Sequence, residues 1–115
     1  MATIRPFKGF RPTPELCSKV AALPYDVMTS KEAREMVKND PYSFLHVDRA
    51  EIDLPENVDI YSKEVYEKAA SNLNKMIEDK VLIQDSKPVF YIYSLTMNGR
   101  EQIGLVVCTS IDEYL

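Results

Sequence analysis

The chain has 115 residues, 45% of them apolar and 28% charged, with a formal net charge of −4. That is room for one domain with a modest core, and the apolar content argues against disorder. No run approaches the roughly 20 apolar residues needed to cross a bilayer, and the acidic balance makes a sequence-independent nucleic-acid binder a poor fit, since such proteins need several Lys or Arg along one face.

The start, Met1-Ala2-Thr3-Ile4-Arg5-Pro6, has no basic region followed by an apolar one, so no secretion signal is read there. Residues 2–5 read as a short strand leading into the turn-rich link Pro6-Phe7-Lys8-Gly9. Residues 1–23 carry Arg5, Lys8, Arg11 and Lys19 against Glu15, a local balance of +3 that leaves −7 for the rest. This strip could meet a small anion such as phosphate, and a solvated surface explains it as well. Thr13-Pro14-Glu15 then predicts a helix start, with threonine as N-cap, proline at the first helical position and an acid in the first turn. Leu16, Cys17 and Val20 make its buried stripe, and Pro24 ends it.

Leu23-Pro24-Tyr25-Asp26-Val27-Met28 lies between two helical patterns, on a connection stiffened by proline. A phenol and a carboxylate placed there have the position of a binding or catalytic pair, although such residues also serve turns and caps. Thr29 and Glu32 match a capping box opening a second helix, with Ala33, Met36 and Val37 facing inward and Asn39-Asp40-Pro41 as its stop. Ser43–Asp48 alternates as a strand would, which sends Phe44, His46 and Asp48 to one face, with His46 and Asp48 about 7 Å apart. A lone histidine near an acid could be a general base, a structural residue or an exposed one. No metal-ligand spacing is present, so no metal site is assigned.

Glu51, Asp53, Glu56 and Asp59 make an acidic loop, and the longest helix is expected over Ile60–Asp79, its stripe formed by Tyr61, Val65, Ala69, Leu73 and Ile77 and joined by Tyr66, Ala70 and Met76. Glu64 and Lys68 are expected to pair across one turn. At the C-terminal side, Val89–Met97 and Gln102–Thr109 flank Asn98-Gly99, the strongest two-residue hairpin signal. With that loop Met97 faces Arg100, so Tyr93 lies opposite Gly104 and Ile92 opposite Leu105. Phe90, Ile92, Ile103, Leu105 and Val107 share one face; Tyr91, Tyr93, Leu95, Val106 and Cys108 share the other. Two apolar faces imply cover on both sides, by helices or by material outside this chain. Thr109–Leu115 reads as the first turn of a further helix, as expected of the N-terminal fragment of a longer protein.

Enzyme templates do not match. The chain has only Gly9, Gly99 and Gly104, so neither a Walker loop nor GxGxxG exists, and no serine nucleophile elbow is present. Cys17 and Cys108 are far apart in sequence and read as reduced thiols of a cytoplasmic protein.

Leu23-Pro24-Tyr25-Asp26-Val27-Met28, Asn39-Asp40-Pro41-Tyr42-Ser43-Phe44-Leu45-His46-Val47 and Pro88-Val89-Phe90-Tyr91-Ile92-Tyr93, with Ile4-Arg5-Pro6-Phe7-Lys8 and Gly104-Leu105-Val106-Val107, resemble the N-terminal part of a bacterial and archaeal family, domain of unknown function 1015. The likeness covers essentially the whole chain, with Asp40 as an insertion in an otherwise NPY-like element. It implies a distant kinship with the ParB/sulfiredoxin-like fold, which hosts nucleotide-dependent enzymes including free-serine kinases, and a genomic link to phosphoserine metabolism. The catalytic glutamate and phosphate motif of those relatives match no residue here.

The combined expectation is an α+β domain, a small mixed sheet with a C-terminal hairpin and about three helices. It would bind a nucleotide, with Mg²⁺ as the nucleotide's companion, or a phosphorylated amino acid, with phosphoryl transfer in serine metabolism as its reaction. Arg5, Lys8 and Arg11 would contact phosphate, Asp26 would orient the acceptor or the Mg²⁺, and Tyr25 and His46 would line the pocket. The alternative is a non-catalytic regulatory or assembly module whose apolar hairpin face docks on the rest of a longer chain or on another subunit. A ParB-like DNA-binding role ranks third, against the acidic balance.

Overall fold

The computed structural model describes residues 3–113. Residues cluster into two compact units, a central one over Pro12–Ile83 and a terminal one holding the chain on either side, described over 3–11 and 84–113. The boundaries fall inside two three-residue strands, β2 (Phe10–Pro12) and β3 (Leu82–Gln84). The class is α+β, with four α-helices and two-stranded antiparallel pairings.

The central unit holds α1 (Cys17–Val20), α2 (Ser30–Met36), α3 (Leu45–Asp48) and α4 (Lys63–Glu78), with 3-10 turns at Tyr25–Val27 and Ala50–Asp53. α1 starts later than the Thr13 cap predicts. The Thr13 hydroxyl donates to Glu15 at 2.6 Å rather than accepting from the helix, and its carbonyl takes the Leu16 N–H, so a turn precedes the helix. α2 opens as read: Thr29 Oγ1 accepts from Glu32 N–H while Glu32 accepts from Thr29 N–H. Ala33 is buried, but Met36 is half exposed rather than inward.

The strand expected over Ser43–Asp48 is instead the short helix α3. Four to six alternating residues fit either period, and local bonding decides it. Ser43 is buried and its Oγ accepts the Leu45 N–H at 3.2 Å, while the Val47 and Asp48 N–H groups bond to the Phe44 carbonyl. The helix splits its apolar residues between two cores. Leu45 joins Met28, Ala33 and Ile52; Phe44 and Val47 pack against Val20, Met76, Val81 and Leu82. His46 and Asp48 therefore do not share a face, being about 200° apart around a helix.

α4 buries Val65 and Met76 and half-buries Ala69, Leu73 and Ile77, whereas Tyr61 and Tyr66 of the expected stripe are exposed. Its ion pair one turn apart is Lys63–Glu67, at 3.4 Å, in place of Glu64–Lys68. The helix ends where expected. Lys80 takes a φ of +58°, and the Val81 N–H bonds back to the Met76 carbonyl, which joins two buried side chains across the stop.

In the terminal unit β1 (Ile4–Arg5) pairs antiparallel with β6 (Cys108–Thr109). β4 (Tyr91–Met97) and β5 (Arg100–Val106) form the hairpin, with Tyr93 opposite Gly104 and Ile92 opposite Leu105 as predicted. Asn98 and Gly99 have φ of +54° and +77°, the signs that a type I′ turn requires. A Cβ at Gly104 would run into the Tyr93 ring, so the aromatic occupies the room that glycine leaves. Ile111–Glu113 is a 3-10 turn; Tyr114, Leu115 and Ala2 lie outside the described residues, with the parts of the expected end elements that fall on them.

Candidate functional site

The densest polar network of the central unit is carried by one short stretch, His46 to Asp53, which spans α3 and the following 3-10 turn. Its outer members close on each other. His46 Nδ1 lies 2.8 Å and 2.9 Å from the two Asp53 oxygens, and its Nε2 lies 3.0 Å from the Asp40 carbonyl oxygen. Asn72 on α4 fixes this pair from the side, donating to Asp53 at 2.9 Å and to the His46 carbonyl at 2.7 Å. Both ring nitrogens thus lie within hydrogen-bond distance of an acceptor, and His46 lines the cleft beside Asp53.

The inner members, Arg49 and Glu51, also close on each other, Nε donating to Oε1 at 2.6 Å, with their side chains 14% and 7% exposed. Ser30 donates to the same Glu51 oxygen, and Arg34 donates to the Glu51 and Leu54 carbonyls. Burial pushes the Glu51 carboxyl up, but the Arg49 bond, the local backbone and the Ser30 hydroxyl outweigh it and hold it below its ordinary range.

Against the His46–Asp53 pair lies a cleft of about 350 Å³, lined also by Pro41, Tyr42, Asn72, Lys75, Met76, Asp79 and Val81. Lys75 and Asp79 are one helical turn apart, and neither is ion-paired among the described residues. Beside the Asp53 carboxylate, the cleft therefore offers one cation, Lys75, and a second carboxylate, Asp79, on an apolar floor of Met76 and Val81. No three His, Cys, Asp or Glu side chains converge as metal ligands among the described residues.

The residues singled out by sequence fall in different places. Tyr25 and Asp26 sit on the 3-10 turn Tyr25–Val27, both exposed, and that turn is tied to the network through Arg49. Asp26 does not line the cleft; His46 does. Arg5, Lys8 and Arg11 belong to the terminal unit. Arg11 is committed there to Asp85 at 2.7 Å, in a cluster where the Tyr91 hydroxyl donates to Asp85 and accepts the Gly9 N–H at 2.7 Å. Arg11 and Tyr91 together hold the Asp85 carboxyl below its ordinary range, while burial and then Asp85 push the Tyr91 phenol up. Arg5 and Lys8 are exposed; Arg5 lies opposite Cys108 and shares a shallow hollow with Thr109, Ser110 and Glu113.

Sequence reasoning missed Arg49, Glu51, Asn72 and Lys75. For Arg49 and Glu51 the only signal was an arginine beside an acidic run, which reads as solvated charge, and Asn72 and Lys75 read as the polar side of the long helix.

The class is α+β, and the helical unit carries a polar cleft of small-molecule size. The chain belongs to the family described as protein of unknown function (DUF1015), whose model matches residues 4–115. No curated protein and no solved structure matches it. No helix among the described residues is long and apolar enough to cross a membrane.

Proposed function

We propose that the central unit binds a phosphorylated amino acid or the phosphate end of a nucleotide in the cleft beside His46 and Asp53, and that the reaction is phosphoryl transfer linked to serine metabolism. The observation that carries the reading is Lys75 and Asp79, without an ion-pair partner among the described residues, on an apolar floor walled by a histidine and a carboxylate that hold each other in place. Lys75 would meet the phosphate as a point charge, and Asp79 an ammonium group or a nucleotide-borne Mg²⁺. The cleft, at about 350 Å³, sits at the low end of the ~300–1,000 Å³ range of small-molecule pockets, which favours the smaller ligand over a whole nucleotide. Asp26, which does not line the cleft, would orient an acceptor that extends past the cleft to the clamped turn. The kinship to the ParB/sulfiredoxin-like fold belongs to the same reading and rests on resemblance alone.

A second reading follows from the hairpin, which would be a docking surface for another segment or a second copy of the chain. Ile92 and Ile103 on one face are 75% and 67% exposed, and Leu95 and Met97 on the other are 62% and 76% exposed, so each face offers apolar surface to a partner.

Thermal shift tests the first reading. Phosphoserine, serine, ADP or ATP with Mg²⁺ at about 100 times its dissociation constant should stabilise the chain by about 2.7 kcal/mol, a shift of several degrees. Lys75→Ala and Asp26→Asn should abolish the shift and Glu64→Ala should keep it. Silence towards all four ligands, with concentration-dependent association of the chain, would move the assignment to the hairpin.

A further inference from the structure

The Leu23–Met28 turn combines exposure with tight anchoring. Leu23, Tyr25 and Val27 are 55%, 60% and 60% exposed, and the turn's own backbone bond, Val27 N–H to the Pro24 carbonyl, is long at 3.3 Å. A surface connection of that kind ordinarily moves. Here two of its carbonyls, those of Tyr25 and Met28, each accept a 2.7 Å bond from the same Arg49 nitrogen, Nη1. The rest of the guanidinium is also spoken for. Nη2 donates to Ser30 Oγ at 2.8 Å and Nε to Glu51, while Ser30 in turn donates to Glu51. The Met28 side chain is buried with Ala33, Leu45 and Ile52, so the turn is pinned at its far end too.

A buried ion pair of this kind is weak evidence for stability, because desolvation of the two charges offsets their attraction and a well-packed apolar pair does as well. What an apolar pair cannot do is reach two carbonyls, a hydroxyl and a carboxylate from one rigid fork. A lysine cannot either, having one nitrogen and three donors. The fork sits on the same stretch whose two ends, His46 and Asp53, wall the cleft.

We infer that Arg49 is a positioning residue: held by Glu51, it fixes the Tyr25–Asp26 turn relative to the cleft wall, so that turn and cleft act as one ligand site. The inference deepens the proposed ligand reading and rests on it for the part that concerns the ligand.

Arg49→Lys keeps a charge beside Glu51 and loses the fork. Without any ligand, amide hydrogen exchange of Val27 in this variant should be at least tenfold faster than in the wild type, while amides of α4 between Val65 and Met76 keep their protection. If the Val27 amide exchanges at the wild-type rate in a folded variant, Arg49 does not fix the turn and the inference is overturned. Should Arg49→Lys fail to fold, the double change Arg49→Met with Glu51→Leu removes both buried charges and is read the same way. The ligand arm uses phosphoserine and Mg²⁺-ATP as probes, with affinity expected to fall at least tenfold in Arg49→Lys. Equal affinity with a loosened turn would overturn the joint site. A wild type that binds neither probe would remove the ligand reading itself, and the exchange arm would still decide whether Arg49 is the clamp.

Discussion

The central and terminal units solve different problems with the same alphabet. Every apolar side chain buried below one-tenth exposure among the described residues, from Val20 to Leu82, belongs to Pro12–Ile83. The terminal unit is richer in strand-forming residues, yet holds Ile92, Leu95, Met97, Ile103 and Leu105 more than half exposed. Its order comes from backbone pairing and from local ties, such as the Phe7–Val89 bridge and the Tyr91–Asp85–Arg11 cluster. Apolar composition alone does not make a core. Helices that present stripes from several directions bury them, whereas a two-stranded hairpin has two faces and no second layer of its own.

Paired substitutions sharpen the contrast. Leu45→Ala, in the central unit, should cost about 2–5 kcal/mol in urea unfolding, the usual range for a buried leucine. Ile92→Ala on the hairpin should change stability by no more than about 0.5 kcal/mol, as for other surface positions. An Ile92→Ala loss as large as that of Leu45→Ala would mean that the hairpin face is covered, and the comparison would break.

A smaller effect is expected from acid. Glu51 titrates below its ordinary range in the folded chain, so it binds its proton more readily when unfolded. The stability it contributes is therefore complete above the unfolded value, about 4.3, and is lost as pH falls through the lower folded value. Glu51→Gln should flatten that part of the acid limb of unfolding, read by circular dichroism between pH 5 and pH 2 or so. Asp85 in the terminal unit is shifted in the same direction, first by Arg11 and then by Tyr91, but with Arg11 exposed and Asp85 only half-buried, screening should leave its share smaller.

How much was legible follows from how local each signal is. The Asn98-Gly99 turn dictates a two-residue loop and hence the whole register of β4 and β5, so the hairpin could be read to the residue. The Thr29–Glu32 capping box is likewise contained in four residues. Ser43–Asp48 alternates like a strand, and a local term, the Ser43 hydroxyl accepting the Leu45 N–H, acts together with a tertiary one, two cores pulling Phe44 and Leu45 apart, to make it the helix α3. The site was legible only in part. His46 stands out for its chemistry, but its partner is Asp53 rather than Asp48 because the helix changes which residues meet. Arg49 and Glu51 gave no local warning, since a buried arginine and a solvated one look alike in a charged stretch. Tyr25 and Asp26 stood out through Pro24, although the residue that holds their turn lies 24 positions away from Tyr25.

The most direct test of the central claim, that ligand chemistry belongs to the cored unit, is an amide chemical-shift titration of the ¹⁵N-labelled chain with phosphoserine and with Mg²⁺-ATP. Shifts should concentrate at His46, Asp53, Asn72, Lys75 and Asp79, with a second group at Tyr25–Met28. Shifts confined to residues 90–107, or none with either ligand, would contradict that claim.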